Sequence, residues 1–197
     1  DKFINMYKHC MFRRGSIFNK NDIQIQVGLD SKTFDSYFSV LEHTYQIQKL
    51  QPYFNNQLKR LVKTPKIFSI DTGVLCHLLQ IKTEDEFNKS PLKGEIFETF
   101  IFSELLKANS YAQNRTNLYY YRTTDKREID FILEYSNKII ALEIKASKTV
   151  KKDDFKHIYK LKEDINKEFD KGIVLYMGNT FLEIDENMYA VPIGFLK

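Results

Sequence analysis

The chain has 197 residues, of which 43% are hydrophobic, and a formal net charge of +4. Such a chain buries enough apolar surface for one large domain or two smaller ones, so we expect a globular protein. The two cysteines, Cys10 and Cys76, have no CxxC spacing, which argues against a disulfide framework or a zinc site. No apolar run approaches the roughly 20 residues of a membrane helix, so we expect a cytoplasmic protein without a membrane partner. The sequence begins with Asp1, so we also expect a segment upstream.

Positive charge concentrates in the first third of the chain. Up to Lys66 there are 11 Lys and Arg against 5 Asp and Glu, and after it 19 against 21. This bias favours an acidic partner such as nucleic acid, although a lysine-rich solvated surface has the same composition.

Two segments near the amino terminus have apolar residues at helical spacing. They are residues 3–13 and 31–45, and Ser31 is a suitable cap for the second. Between them we predict a short helix capped by Asn21 or Asp22.

A tight turn at Gly28 and a β-hairpin complete this part of the chain. Residues 45–62 alternate around the sequence FNNQ, as a hairpin with Asn at its turn would. Three helices and a hairpin make a winged helix-turn-helix domain, which we place at residues 1–65.

Winged helix-turn-helix domains commonly read DNA with the third helix and contact its backbone with the hairpin. Here the third helix carries Lys32 against Asp35 and Glu42, which makes it a poor base reader. We expect phosphate contacts mainly from the hairpin. The candidate nucleic-acid-binding residues of this domain are Lys32, Lys49, Lys59, Arg60 and Lys63. The alternative is a wing that serves only as a docking surface.

The pattern changes after residue 65. A short strand ends at Asp71 and leads into a helix over residues 72–79. A polar connecting segment follows over residues 82–91, and then a largely buried helix over residues 94–107.

One carboxylate lies on the apolar face of this last helix. Glu98 has Ile101, Phe102 and Leu105 on its own side. Burying a carboxylate there costs several kcal/mol unless something compensates it. A salt bridge, a helix-end position, a metal or a catalytic lysine would each do so.

Three strands then follow in an antiparallel meander, over residues 118–122, 127–134 and 139–145. Counting inward from a four-residue loop between the last two places Asp130 opposite Glu143.

Directly opposed side chains in such a pair lie about 4.5–5.5 Å apart at Cβ. Lys145 lies one step along on the same face as Glu143. Two adjacent carboxylates repel each other, and a divalent cation between them would relieve the repulsion. The alternative is that both strands expose a charged face to water, with an ion pair between Glu128 and Lys145.

After the meander, residues 153–169 are spaced as an amphipathic helix and residues 172–178 as a buried strand. The order helix, meander, helix, strand, together with Glu98, Asp130 and the Glu143–Lys145 run, resembles the PD-(D/E)XK nuclease superfamily. Four stretches resemble more closely the carboxy-terminal region of bacterial and archaeal AAA-type ATPases, the domain of unknown function 4143. These stretches are KTPKIFSIDTGVLCHLL, GEIFETFIFSELLK, YYYRTTDKREIDFIL and IIALEIKAS.

The resemblance implies a mixed α+β and α/β fold, in which the winged helix-turn-helix precedes a restriction-endonuclease-like αβββαβ core at residues 66–197. It implies that Asp130 and Glu143 bind Mg²⁺ or Mn²⁺, that Lys145 positions or deprotonates the attacking water, and that Glu98 is an auxiliary acid. Ile129 replaces the signature proline. Basic residues that cluster around the strand ends would hold phosphates: Arg122, Arg127 and Lys148, with Lys151 and Lys152.

Three functions stay open. The first is a metal-dependent endonuclease that hydrolyses DNA phosphodiester bonds. The second is an inactive nuclease-fold module that binds DNA or its ATPase partner, and the third is a transcription regulator with a ligand-sensing domain. No glycine lies in a GxxxxGK[ST] pattern, so we expect no nucleotide site here and an ATPase domain upstream.

Overall fold

The computed structural model describes residues 1–53, 63–165 and 168–196. The protein is a mixed α and β structure of two compact units. The first comprises residues 1–50 and 64–106, and the second comprises residues 51–63 and 107–197. The helices of the described residues include none with the length and apolar character that crossing a bilayer requires.

The first unit contains most of the helices and a small sheet. Its elements are α1 (Lys2–Met11), β1 (Ser16–Ile17), α2 (Lys20–Val27), α3 (Ser31–His43), β2 (Ile47–Leu50), β3 (Lys66–Ser69), α4 (Thr72–Leu78), α5 (Glu84–Lys89) and the first part of α6 (Lys93–Tyr111). Its core includes Met6, Cys10, Phe34, Phe38 and Leu41, which the helical spacing of α1 and α3 brings to one side.

The three predicted helices of this unit are present, but their caps differ from the prediction. The Asn19 side chain caps α2, so the prediction of Asn21 or Asp22 is wrong. Asp30 rather than Ser31 caps α3, because its Oδ1 accepts a hydrogen bond from the Thr33 amide at 2.9 Å. Both cap residues have extended backbone, which the cap position requires.

The turn at Gly28 is confirmed. Gly28 ends α2 with a φ of 67°, a left-handed conformation that glycine adopts without strain. The polar segment over residues 82–91 contains a helix of its own, α5. Thr83 and Glu86 form a reciprocal capping box there, so local hydrogen bonds support α5 although none of its residues is buried.

Strand β3 is the centre of the small sheet, whose order is β1-β3-β2 with antiparallel pairing throughout. Its four residues are all buried, as expected for a strand with a neighbour on each side. The strand that we predicted to open the second domain therefore pairs within the first unit. The predicted hairpin turn and its second arm, with Lys59 and Arg60, lie outside the described residues.

The second unit is built on a six-stranded sheet. Its strands are β4 (Asn117–Arg122), β5 (Glu128–Tyr135), β6 (Lys138–Lys145), β7 (Phe169–Tyr176), β8 (Leu182–Asp185) and β9 (Met188–Pro192), in the order β4-β5-β6-β7-β9-β8. The antiparallel meander of β4, β5 and β6 is confirmed. The sequence analysis predicted neither β8 nor β9, which extend the sheet beyond β7.

A helical crossover joins β6 to β7, which lie parallel. A 3₁₀ turn (Lys152–Phe155) leads into α7 (Lys156–Ile165). Phe155, Ile158 and Leu161 pack with Ala141 of β6 and Val174 of β7. The start of the crossover therefore covers the face of β6 that also carries Glu143 and Lys145.

Gly172 marks the closest approach within this packing. A Cβ at this position would lie 2.4 Å from Ile158 Cγ2 and 2.5 Å from Met188 Sδ. We expect Gly172→Ala to lower the free energy of unfolding by about 1–3 kcal/mol, because α7 or Met188 must move. Denaturant unfolding measures the change.

Gly94→Ala is the matched control, since a Cβ at Gly94 meets nothing within 4 Å. Alanine is the better helix former, so this variant should be as stable as the wild type or more stable by about 0.5–1 kcal/mol. A Gly172→Ala protein as stable as the wild type would contradict the packing described here.

Candidate active site

The register of β5 and β6 sets the geometry of the site. The two strands pair from Tyr135 with Lys138 to Phe131 with Leu142, and Glu134 faces Ile139 as predicted. The loop between the strands is shorter than predicted, because it consists of Ser136 and Asn137, both at positive φ.

The same register, continued by one residue pair beyond Phe131 and Leu142, places Asp130 opposite Glu143. Asp130 Oδ2 accepts a hydrogen bond of 2.7 Å from the Ile144 amide, so its carboxylate reaches across to β6. This contact places a carboxylate of each strand at the same end of the strand pair, as the sequence analysis predicted.

Glu143 is the more buried partner of an ion pair with Lys145. Lys145 Nζ lies 2.9 Å from Glu143 Oε1, and the Glu143 side chain is 14% exposed. Burial, together with the charge of Asp130, raises the pKa of Glu143 to about 8, although Lys145 acts in the opposite direction. The ammonium therefore offsets only part of the cost of placing Glu143 beside Asp130.

Lys145 keeps its proton in this surrounding. Burial by itself would lower the pKa of Lys145, but Glu143, with smaller contributions from Asp130 and Asp154, raises it above the ordinary value. A lysine with a raised pKa is a cation at neutral pH, so Lys145 is a source of positive charge and not a general base.

Asp154 is a neighbour of this site that the sequence analysis missed. Its Oδ1 lies 4.0 Å from Lys145 Nζ, and its Oδ2 accepts a hydrogen bond of 2.7 Å from the Lys151 amide. The available signal was an acidic residue at the start of the helix that follows β6. A parallel crossover begins at the carboxyl end of the strand it leaves, and β6 ends at Lys145, so the first turn of the crossover stays close to that lysine.

The donor set fits a hard divalent cation with few protein ligands. In the described part of the chain, no three His, Cys, Asp or Glu side chains are grouped so as to hold a metal ion. Mg²⁺ is usually bound through one or two carboxylates and retains several waters. Asp130 and Glu143 supply two carboxylates whose mutual repulsion a cation would relieve, so they fit Mg²⁺ or Mn²⁺.

Glu98 lies in the first unit, where it has a partner. Lys66 Nζ is 3.2 Å from Glu98 Oε1, and the two side chains are 4% and 17% exposed, respectively. An ion pair thus compensates the burial of Glu98, which is one of the alternatives that the sequence left open. Its role as an auxiliary acid stays a prediction.

The basic residues predicted to contact phosphates differ in their surroundings. Lys32, Lys63 and Lys148 are exposed. Lys49 Nζ lies 3.0 Å from Glu42 Oε2 and 4.4 Å from the centre of the Phe38 ring, so its charge is already partnered.

The two arginines of the second unit take part in ion pairs. Arg122 lies 3.4 Å from Glu128. Arg127 lies 3.3 Å from Asp125 and 3.2 Å from Asp164. Phosphate binding by these arginines stays a prediction.

The raised pKa of Glu143 predicts a pH dependence of stability in metal-free protein. The folded state holds the Glu143 proton to about pH 8, whereas a glutamate in the unfolded chain loses it near the ordinary pKa of 4.5. Stability is therefore highest below the unfolded pKa and falls as pH rises toward the folded one. We expect Glu143→Gln to remove the contribution of Glu143 to this fall in the free energy of unfolding, which is of the order of a few kcal/mol.

Urea unfolding in EDTA at about pH 5 and about pH 8 measures the effect. Glu183→Gln removes an exposed carboxylate of β8 and should leave the difference between the two pH values as in the wild type. An equal fall in the Glu143→Gln protein and the wild type would contradict the electrostatics of the site.

Comparison with known proteins places the chain in a family. Residues 93–196 match the family described as Domain of unknown function (DUF4143), and residues 1–85 match Domain of unknown function (DUF8612). The chain is 31% identical over 135 residues to Uncharacterized protein Rv2008c of Mycobacterium tuberculosis and to Uncharacterized protein Mb2031c of Mycobacterium bovis. The alignment covers 68% of this chain, which spans 30% of the length of each relative. Because the first match extends over more than half of the residues, the chain belongs to the DUF4143 family.

Proposed function

We propose that the protein is a Mg²⁺-dependent nuclease of the PD-(D/E)XK type that hydrolyses DNA phosphodiester bonds. The observation that carries this proposal is the convergence of Asp130 and Glu143 at one end of the β5–β6 pair, with the Lys145 ammonium 2.9 Å from Glu143. Two carboxylates and one amine in this arrangement suit metal-assisted hydrolysis of a phosphodiester.

The order of the elements supports the assignment of the fold. Helix α6, the meander β4–β6, helix α7 and the parallel strand β7 follow in the order that the PD-(D/E)XK core requires. Helices α1, α2 and α3 and the sheet of order β1-β3-β2 suit a winged helix-turn-helix. A DNA-guiding module would then be joined to a DNA-cleaving one.

Each residue of the site has a separate task in this mechanism. Asp130 and Glu143 would hold the cation, which supplies charge neutralisation and a bound water of lowered pKa. The Lys145 ammonium stabilises negative charge that develops on the phosphate oxygens and orients the attacking water. The Ile144 amide fixes the Asp130 carboxylate, so this metal-binding side chain does not have to be ordered when the DNA substrate binds.

A second function is an inactive nuclease-fold module that binds DNA or an AAA-type ATPase domain. Two observations favour it. The described residues offer no third acidic, histidine or cysteine ligand for a metal, and Arg122 and Arg127 are already paired with carboxylates. Binding would then rely on exposed lysines such as Lys148.

Cleavage assays distinguish the two functions. We expect the wild type to nick plasmid DNA in Mg²⁺ or Mn²⁺, and Glu143→Gln and Lys145→Met each to lower the rate by about 10²-fold or more, because each removes a charge that the transition state needs. Glu183→Gln, on the exposed strand β8, should cleave at the wild-type rate.

Calorimetry with Mn²⁺ supplies a reading that is independent of cleavage. The wild type should bind the ion and Glu143→Gln should not. Metal binding without nicking of double- or single-stranded DNA would favour the inactive module, and a wild type that binds no Mn²⁺ would rule out the enzyme.

Phosphate contacts predict a salt dependence of DNA binding. Lys32→Gln and Lys148→Gln should each reduce the slope of log affinity against log salt concentration by about 1, because each removes one exposed positive charge. Lys49→Gln should leave the slope unchanged and lower the free energy of unfolding by about 0.5–1 kcal/mol, since Glu42 and Phe38 already partner this charge. The opposite pattern would assign DNA contact to Lys49.

A further inference from the structure

Asp154 has two carboxylate oxygens with different partners. Oδ2 accepts a 2.7 Å hydrogen bond from the Lys151 amide, which closes the 3₁₀ turn ahead of α7. Oδ1 lies 4.0 Å from Lys145 Nζ, and the side chain is 23% exposed. The bond to the turn therefore holds the carboxylate in place beside the lysine.

Asp154 matters for the charge balance of a divalent cation, since Glu128, a further carboxylate that acts on Glu143, is paired with Arg122. When ionised, Asp130 and Glu143 contribute two negative charges and Lys145 contributes one positive charge, which leaves a single negative charge. Asp154 makes the total equal and opposite to the charge of Mg²⁺ or Mn²⁺.

A cation at Glu143 also changes the position of Lys145. The ammonium in this structure rests on the same Glu143 carboxylate that would hold the metal. Two positive charges that share one carboxylate repel each other, and burial strengthens the repulsion. Lys145 then needs a second anionic contact, and Asp154 lies on the neighbouring turn of the crossover.

We propose that Asp154 is a positioning residue that holds the Lys145 ammonium beside the scissile phosphate when Asp130 and Glu143 bind a divalent cation. This inference rests on the proposed nuclease function. It assigns to the 3₁₀ turn between β6 and α7 a task in catalysis in addition to its task in the fold.

Two substitutions separate the charge of Asp154 from its role as a cap. Asp154→Asn keeps an oxygen that accepts the Lys151 hydrogen bond but removes the charge, whereas Asp154→Ala removes both. We expect Asp154→Asn to lower kcat by about 10- to 100-fold with KM for DNA unchanged, and to weaken Mn²⁺ binding in calorimetry. Asp154→Glu keeps the negative charge and should therefore retain part of the wild-type kcat and part of the Mn²⁺ affinity.

Asp153→Asn is the matched control. Asp153 belongs to the same turn, its side chain is 80% exposed, and it pairs with Lys156. This variant should cleave DNA and bind Mn²⁺ as the wild type does. Wild-type kcat and Mn²⁺ affinity in Asp154→Asn would overturn the proposal.

A wild type that neither binds Mn²⁺ nor cleaves DNA would defeat the proposed function by itself. In that case a double-mutant cycle on the metal-free protein tests the contact between Asp154 and Lys145. Asp154→Asn and Lys145→Met are measured alone and combined, and Tm is the readout. A change in Tm smaller than the sum of the single changes supports the positioning of Lys145 by Asp154. Additive changes overturn it.

Discussion

The site depends on the placing of two like charges side by side at the end of a strand pair. Such an arrangement opposes folding, because Asp130 and Glu143 repel each other while the Glu143 side chain is largely removed from water. The pairing of β5 with β6 and the packing of α7 hold it in place. Charged groups that a fold keeps together against their repulsion are good candidates for a functional site.

Lys145 and the Ile144 amide show how the protein offsets this cost. The ammonium contacts Glu143, and the backbone amide donates to Asp130, so each carboxylate has a partner of its own. The compensation is partial, since the pKa of Glu143 stays raised. A site whose two carboxylates are already fixed in place is preorganised for a cation, and this property connects the electrostatics to the proposed hydrolysis.

The family matches cover both units of the chain. The chain spans 30% of the length of its mycobacterial relatives. An ATPase domain as a partner is therefore part of the proposed function. The DUF4143 match covers the site, since residues 93–196 include Asp130, Glu143, Lys145 and Asp154. The DUF8612 match covers residues 1–85, and thus all three strands of the small sheet.

The sequence by itself determined the local features of the site. Period-two alternation decides which residues of a strand share a face, and a short loop decides the register, so Asp130 and Glu143 could be paired before any coordinates. The tertiary structure alone decided the contacts between distant segments. The ion pair of Lys66 and Glu98 joins residues 32 apart, and β3 pairs with β1 and β2. Periodicity encodes which side of an element is buried but not which element covers it, and for this reason these contacts could not be predicted.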